Sequence, residues 1–307
     1  DGEAAGDSSG SSVSLSEDGT IVAIGAYAND DNGNDSGHTR IYQYANDSWK
    51  QLGSDIDGED NQNYSGMSLS LSEDGTIVAI GALGNNGNGS ISGHTRIYQY
   101  SSVDEEWTQL GSDIDGEAAG DSSGRSVDLS DDGTIVAIGA YRNDGNGSSS
   151  GHTRIYQYAN DSWTQLGSDI DGEAAGDSSG ISVDLSEDGT IVAIGATGND
   201  GNGSSSGHTR IYQYANDSWS QLGSDIDGEA ADDNSGISVD LSEDGTIVAI
   251  GGSLNDGNGS NSGHTRIYQY ANDSWSQLGS DIDGEAAGDS SGSSVSLSED
   301  GTIVAIG

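Results

Sequence analysis

The sequence contains no cysteine and no proline, and among its 307 residues only 8 are Lys or Arg against 52 that are Asp or Glu. The absence of cysteine excludes disulfides, thiolate metal centres and cysteine nucleophiles. Small secreted domains usually strengthen a thin core with disulfides, so the absence fits a bacterial, archaeal or algal surface protein better than a eukaryotic secreted module. The absence of proline argues against collagen or polyproline architecture and is compatible with hydrogen-bonded strand ladders. No apolar run reaches the length of a membrane span, so no membrane insertion is expected. The opening residues Asp1 to Gly6 do not read as a signal peptide, and a secreted reading needs the signal removed or lying outside this sequence.

The shortage of basic residues leaves a formal net charge of −44. Such a surface repels phosphate, which excludes nucleic acid and anionic membranes as partners. The carboxylates also repel one another. Salt relieves this by screening over about 8 Å at physiological ionic strength, and divalent cations relieve it more directly. A salty or calcium-containing medium is therefore expected, with a merely soluble acidic protein as the alternative. Apolar residues make up 31% of the chain, close to the composition of disordered proteins. These residues nevertheless recur at fixed positions, as a folded repeat requires.

The string Asp-Gly-Glu begins at Asp1, Asp57, Asp115, Asp171, Asp227 and Asp283, with spacings of 56, 58, 56, 56 and 56 residues. The repeats are 1–56, 57–114, 115–170, 171–226 and 227–282, followed by a first half-repeat, 283–307, identical to 1–25. The two extra residues fall in one turn, at Ser101 to Glu106. The duplicated half-repeat leads us to expect a window on a longer array, or a subunit whose end half-units join neighbours into a fibre.

Each repeat carries four strand signals. Ser12 to Ser16 alternates polar and apolar, as a half-buried strand does. The turn Glu17-Asp18-Gly19 follows. Ile21 to Ala26 is apolar on both faces and should be buried on both. After a polar loop from Asn29 to Gly37, His38 to Tyr44 places His38, Arg40, Tyr42 and Tyr44 on one face. The fourth strand is expected to start at Trp49 and run through Leu52 toward Ile56. The fold class is therefore all-β: tandem four-stranded antiparallel blades, β-propeller-like, five blades plus a half blade. A closed ring and an open array both remain open at this point.

From Ser9-Gly10-Ser11-Ser12-Val13 through the apolar strand to Gly25-Ala26-Tyr27, the unit resembles the FG-GAP repeat of integrin-α-type β-propellers. The Gly-Ala pair recurs as Gly81-Ala82, Gly139-Ala140 and Gly195-Ala196, and becomes Gly251-Gly252 in the fifth repeat. The family's Phe is Ser here (Ser9, Ser65, Ser123, Ser179, Ser235), and the loop that holds calcium in that family is only Glu17-Asp18-Gly19. The resemblance implies a propeller and adhesion-like roles.

Asp-x-Asp-Gly-Glu places hard oxygen ligands around a glycine turn, as a calcium ion requires. The candidate calcium ligands are Asp55, Asp57 and Glu59; Asp113, Asp115 and Glu117; Asp169, Asp171 and Glu173; Asp225, Asp227 and Glu229; and Asp281, Asp283 and Glu285. A further carboxylate follows at Asp121, Asp177, Asp233 and Asp289, with Asn63 in the second repeat. The competing reading is a solvated acidic turn paired with Arg40, Arg96, Arg154, Arg210 or Arg266. Asn-x-Ser glycan acceptor patterns occur at Asn34, Asn88, Asn146, Asn202 and Asn258, at Asn46, Asn160, Asn216 and Asn272, and at Asn63. Asn, Gly and Ser are also ordinary turn residues. The five histidines (His38, His94, His152, His208, His264) lie tens of residues apart, which is no metal-ligand spacing, so a structural role is expected. The five tryptophans (Trp49, Trp107, Trp163, Trp219, Trp275) are expected to pack between blades.

Enzymes gather different groups at one place, whereas this chain spreads the same groups over five. The expectation is a non-enzymatic, extracellular or cell-surface repeat protein with a structural or adhesive role, in a surface filament or longer array. Its partners would be copies of itself or adjoining repeats, and calcium its cofactor. The alternative is a closed propeller that binds glycans or surface proteins at several equivalent sites.

Overall fold

The computed structural model describes residues 2–307, and no helix occurs among them. The first sheet comprises β1 (Ser12–Leu15), β2 (Ile21–Ala26), β3 (His38–Ala45), β4 (Ser48–Gln51) and β5 (Ile56–Asp57). The second comprises β6 (Ser68–Leu71), β7 (Ile77–Ala82), β8 (His94–Ser101), β9 (Glu106–Gln109) and β10 (Ile114–Asp115). Three further sheets begin at Ser126, Ser179 and Ser235, and a last hairpin pairs Val295–Leu297 with Val304–Ile306. In every full sheet the first four strands are antiparallel neighbours in sequence order, and the short fifth strand also pairs with the third. The fold is all-β and propeller-like, as the repeat pattern predicts.

The fourth strand differs from expectation. It is not one strand from Trp49 to Ile56 but two short ones along the same edge. β4 covers the far end of β3, pairing Tyr44 with Trp49, and β5 covers the near end, pairing His38 with Asp57. Between them the chain keeps one bond, from Leu52 N–H to the Ile41 carbonyl at 2.8 Å, then departs from the ladder at Gly53 with φ of 73°. That φ favours glycine, so a regular strand cannot pass through it. The excursion carries Asp55 off the edge and over the start of β3.

Local chemistry accounts for the hairpins. In the β1–β2 turn, Asp18 Oδ1 accepts from the Ser16 hydroxyl, the Thr20 N–H and the Thr20 hydroxyl, at 2.9, 2.8 and 2.8 Å. The short turn is thus satisfied by its own side chains, without a cation. The β3–β4 turn has Asn46 and Asp47 at φ of 53° and 60°. This is the type I′ geometry that suits the twist of a two-residue hairpin, and Asn and Asp tolerate it.

The chain divides into two compact units, residues 1–140 with 155–165, and residues 141–154 with 166–307. In the first, the core lies between successive sheets. Ile21, Ala23 and Ile41 pack with Leu71, Val78, Ile80 and Trp107. In the second, Ile191, Ala193 and Ile211 pack in the same way with Val239, Leu241, Val248 and Ile250. Each buried Ile contributes about 1.5–3 kcal/mol. β7 and Ile191–Ala196 are buried on both faces because each face meets a sheet, which explains the continuous apolar run; in β2 of the first sheet Val22 and Ile24 stay half-buried, contrary to expectation. Gly25 and Gly195 permit the close approach: a side-chain carbon there would overlap the carbonyl oxygen of Gly66 or Gly236 from the following repeat.

Candidate functional site

The face of β8 that carries His94, Arg96, Tyr98 and Tyr100 meets the end of the first sheet. Trp107, across from Tyr100 with ring centroids 5.3 Å apart, donates its indole N–H to the Leu52 carbonyl at 2.8 Å. Trp219 and Trp275 donate likewise to Leu166 and Leu222, both at 2.7 Å. Trp107, Trp219 and Trp275 therefore pack between successive sheets, whereas Trp49 of the first sheet, expected to do the same, stands 48% exposed.

At the near end of the same face, His94 is 1% exposed. Its Nδ1 lies 3.8 Å from Asp113 Oδ2 and 4.0 Å from Glu59 Oε2, and neither ring nitrogen has a hydrogen-bond partner. Glu59 leaves the first sheet just after β5, and Asp113 precedes β10, so sheet pairing brings residues far apart in sequence to one place. Arg96 sits 3.6 Å from Glu59 Oε1 and donates from Nη2 to the Asp57 carbonyl at 2.7 Å. Gln109 donates to Asp113 Oδ1 at 2.6 Å. The arrangement recurs in the second unit. His208 stands 3.9 Å from Glu173, Arg210 bonds the Asp171 carbonyl at 2.7 Å, and Gln221 holds Asp225 at 2.6 Å. His264 stands 3.8 Å from Glu229, with Asp281 in the same cluster, and Arg266 bonds the Asp227 carbonyl at 2.7 Å. In the first sheet His38 faces Glu3, Asp31 and Asp55 at 3.9, 4.0 and 3.9 Å. His152 lies 3.9 Å from Asp169.

Burial and the neighbouring Arg96 push the His94 imidazole down to about 4, against the pull of Asp113. Burial and Arg210 do the same to His208, again to about 4. Both imidazoles are neutral at pH 7. Burial raises Asp57, Asp171 and Asp227, and the adjacent Asp55, Asp169 and Asp225 raise them further. A buried imidazole with both nitrogens unpaired is costly, and such groups ordinarily meet a ligand or ordered water.

The carboxylates of one Asp-x-Asp-Gly-Glu loop are divided: Asp55 faces His38 of its own sheet, whereas Glu59 faces His94 of the next. Glu173 and Glu229 likewise serve the following sheet, and Asp225 and Asp281 their own. Asp57, Asp115, Asp171, Asp227 and Asp283 pair across the ladder with the histidines of their own sheets. Asp121, Asp177, Asp233 and Asp289 accept the N–H of Ala118, Ala174, Ala230 and Ala286 at 2.9, 2.8, 2.8 and 2.7 Å, which makes them caps of their own turns. Asn63 accepts from Asn85 at 3.1 Å. Glu285 is exposed. The histidines, by contrast, join the carboxylates, which their linear spacing does not suggest. The signal lay in the ladder: β5 runs beside the start of β3, so an acid just before β5 must approach the histidine that opens β3.

Eight of the ten Asn-x-Ser positions fall into two groups, Asn34 and Asn63 standing apart. The amides of Asn88, Asn146, Asn202 and Asn258 each donate to two successive carbonyls, those of Gly116 and Glu117 in the case of Asn88. Asn34 instead bonds Asp35, and Asn32 takes over the contact with the Gly58 carbonyl. Asn46, Asn160, Asn216 and Asn272 stand exposed at the type I′ turn tips. On the first sheet the aromatic face is open. Trp49 is 48% exposed, and a pocket of about 300 Å³ is lined by Ser9, Val22, Ile24, His38, Arg40, Tyr42 and Trp49.

These features define an all-β repeat protein of propeller-like fold. The FG-GAP repeat family model matches residues 1–42 and 113–156, which bears out the FG-GAP resemblance. No curated protein sequence matches the chain. Three solved structures are similar in fold. A candidate 6-phosphogluconolactonase from Bacteroides uniformis is 12% identical, with a TM-score of 0.63 over 97% of this chain and 77% of that one. The periplasmic gluconolactonase of Pseudomonas aeruginosa is 16% identical, with a TM-score of 0.59 over 87% and 71%. A candidate 6-phosphogluconolactonase from Bacteroides fragilis is 12% identical, with a TM-score of 0.61 over 100% and 78%. At these identities the likeness establishes the fold. It also corrects the expectation of a chain without enzymatic activity, because lactonases are among the proteins built this way. Repetition of one cluster is therefore no ground for excluding catalysis.

Proposed function

We propose that the chain is an extracellular repeat module with a structural and adhesive role, whose partners are further copies of the same repeat. The observation that carries this reading is the contrast between two equivalent tryptophans. Trp107 is 9% exposed, sealed against the preceding sheet, whereas Trp49 presents the same aromatic face at 48% exposure beside an open pocket. A sheet edge with a Leu52-type carbonyl, brought by another copy, matches that face in shape and hydrogen bonding. A location outside the cytoplasm is supported by the FG-GAP repeats and by a periplasmic protein among the similar structures. The test is sedimentation velocity across a hundredfold concentration range, in chelator. Concentration-dependent assembly that Trp49→Ala weakens is expected. A monomer at every concentration overturns the reading.

A second reading is hydrolysis of a sugar lactone. It is supported by the likeness to lactonases and by neutral histidines held beside carboxylates and an arginine, groups suited to general-base work. Steady hydrolysis of gluconolactone above the uncatalysed rate, lost on substituting the histidines, is the expected result. A rate equal to buffer alone removes it.

A further inference from the structure

We propose that the His94, His208 and His264 clusters are binding sites for a divalent transition-metal ion, each held by one imidazole nitrogen, one aspartate and one glutamate. The glutamate directly follows the last strand of the preceding sheet, so the ion would bridge two successive sheets.

Three observations carry this. First, the histidine is buried and its ring nitrogens have no hydrogen-bond partner, yet it is aimed at carboxylate oxygens. Second, the separations have the wrong length for hydrogen bonds and a suitable one for co-ligands. His94 Nδ1 is 3.8 Å from Asp113 Oδ2 and 4.0 Å from Glu59 Oε2, and one ligand atom from each residue lies within 4.8 Å of the others. A hydrogen bond needs about 2.7–3.2 Å. Ligands at about 2.0–2.2 Å from a shared ion stand roughly 3 to 4 Å apart.

Third, each aspartate, and the glutamate of the His94 and His208 clusters, has one oxygen facing a partner elsewhere. Gln109 holds Asp113 Oδ1, and Arg96 faces Glu59 Oε1, while Oδ2 and Oε2 turn toward the histidine, Oε2 also accepting a long bond from the Asn85 amide at 3.4 Å. Outer partners of this kind orient ligands and fix which oxygen is presented. Arg96 does not occupy the ligand position, because its Nη2 is bonded to the Asp57 carbonyl at 2.7 Å. One imidazole nitrogen and two carboxylate oxygens suit Zn²⁺, Co²⁺ or Mn²⁺. Calcium takes six to eight oxygens and has no use for the imidazole. The site thus differs in ligands and in ion class from the calcium loop expected from sequence, and it does not depend on the array reading.

The experiment is a Co²⁺ titration of the whole chain after chelation, followed by visible absorption and by paramagnetically shifted imidazole proton signals. The variant is Glu59→Gln with Glu173→Gln and Glu229→Gln, since these glutamates are 46%, 46% and 44% exposed and their loss leaves the histidines packed. Shifted imidazole signals in the parent, binding at least tenfold weaker in the variant, and displacement by Zn²⁺ but not by equimolar Ca²⁺ are expected. Absence of shifted signals, unchanged affinity in the variant, or displacement by Ca²⁺ overturns the proposal, the last by reducing it to a general acidic surface. Sedimentation in chelator is blind to this outcome, so failure here leaves the assembly reading standing, and the reverse.

Discussion

Glu59 leaves the first sheet two residues after Asp57 and ends 4.0 Å from Nδ1 of His94, which opens the central strand of the second sheet. One residue thus follows the last strand of one sheet and serves the histidine of the next. The Trp107 to Leu52 bond repeats the relation at the outer end of the same face. Successive sheets are joined at both ends of this face, by an indole hydrogen bond at one and a charged cluster at the other.

The indole bond predicts a contrast between tryptophans. Trp219→Phe removes the donor to the Leu166 carbonyl and keeps most of the apolar area, so it should cost about 0.5–1.5 kcal/mol. Trp49 is half exposed, and Trp49→Phe should stay within about 0.5 kcal/mol. Urea denaturation of the monomeric protein measures both.

Gly195 predicts a steric penalty. A methyl group there would overlap the Gly236 carbonyl and the Ser182 hydroxyl. Gly195→Ala should cost about 1–3 kcal/mol, as overpacking does. A midpoint unchanged from the parent would mean that the neighbouring repeat yields freely at this point.

The two classes of Asn-x-Ser asparagine predict different tolerance. Asn202 donates to the Gly228 and Glu229 carbonyls at 2.9 and 2.8 Å, so Asn202→Ala should cost about 1–3 kcal/mol. Asn216 has φ of 53° at an exposed turn tip, and Asn216→Gly should be close to neutral. Thermal melts of the two variants distinguish them.

Stability should fall as the medium is acidified, for two reasons of one sign. Burial alone would raise Asp74, but bonds from the Thr76 N–H, the Thr76 hydroxyl and the Ser72 hydroxyl outweigh it and hold the carboxyl below its ordinary value. Asp132, Asp188 and Asp244 behave alike. A depressed folded value means stability present above the ordinary carboxylate range and lost as pH falls through the depressed one. For His94 and His208 the ordinary value is 6.5 and the folded value about 4, so the unfolded chain binds more protons between them. Their contribution is present above the ordinary value and is lost as pH drops toward the folded one. Asp57, Asp171 and Asp227, raised by burial, act in the opposite sense around the carboxylate range. The expected result in chelator is a decline beginning below about pH 6.5, where histidines titrate, measured by denaturation across a pH series. With His94→Gln and His208→Gln the onset should move to lower pH.

Much of this fold was legible in the sequence. The two-residue alternation of Ser12 to Leu15, the doubly apolar Ile21 to Ala26, and the Asp-Gly and Asn-Asp turns each specify a local geometry that recurs in every repeat. The interruption between Gln51 and Ile56 was less legible, because its only mark is Gly53, and a single glycine in a strand also reads as an ordinary weak point. The site was half legible. Its carboxylates stood out as a motif, but a motif read along one chain segment implies one site. Only the pairing of β5 with the start of β3 reveals that Asp55 and Glu59 serve different histidines. The histidines themselves looked structural because nothing in a linear spacing reports that both ring nitrogens of His94, His208 and His264 are buried without hydrogen-bond partners.

Electron microscopy of the whole chain in chelator, beside Trp49→Ala, tests the central claim most directly. The account predicts filaments or linear oligomers in the parent, lengthening with concentration and shortened in the variant. Uniform single particles in both, with no growth on concentration, would contradict it.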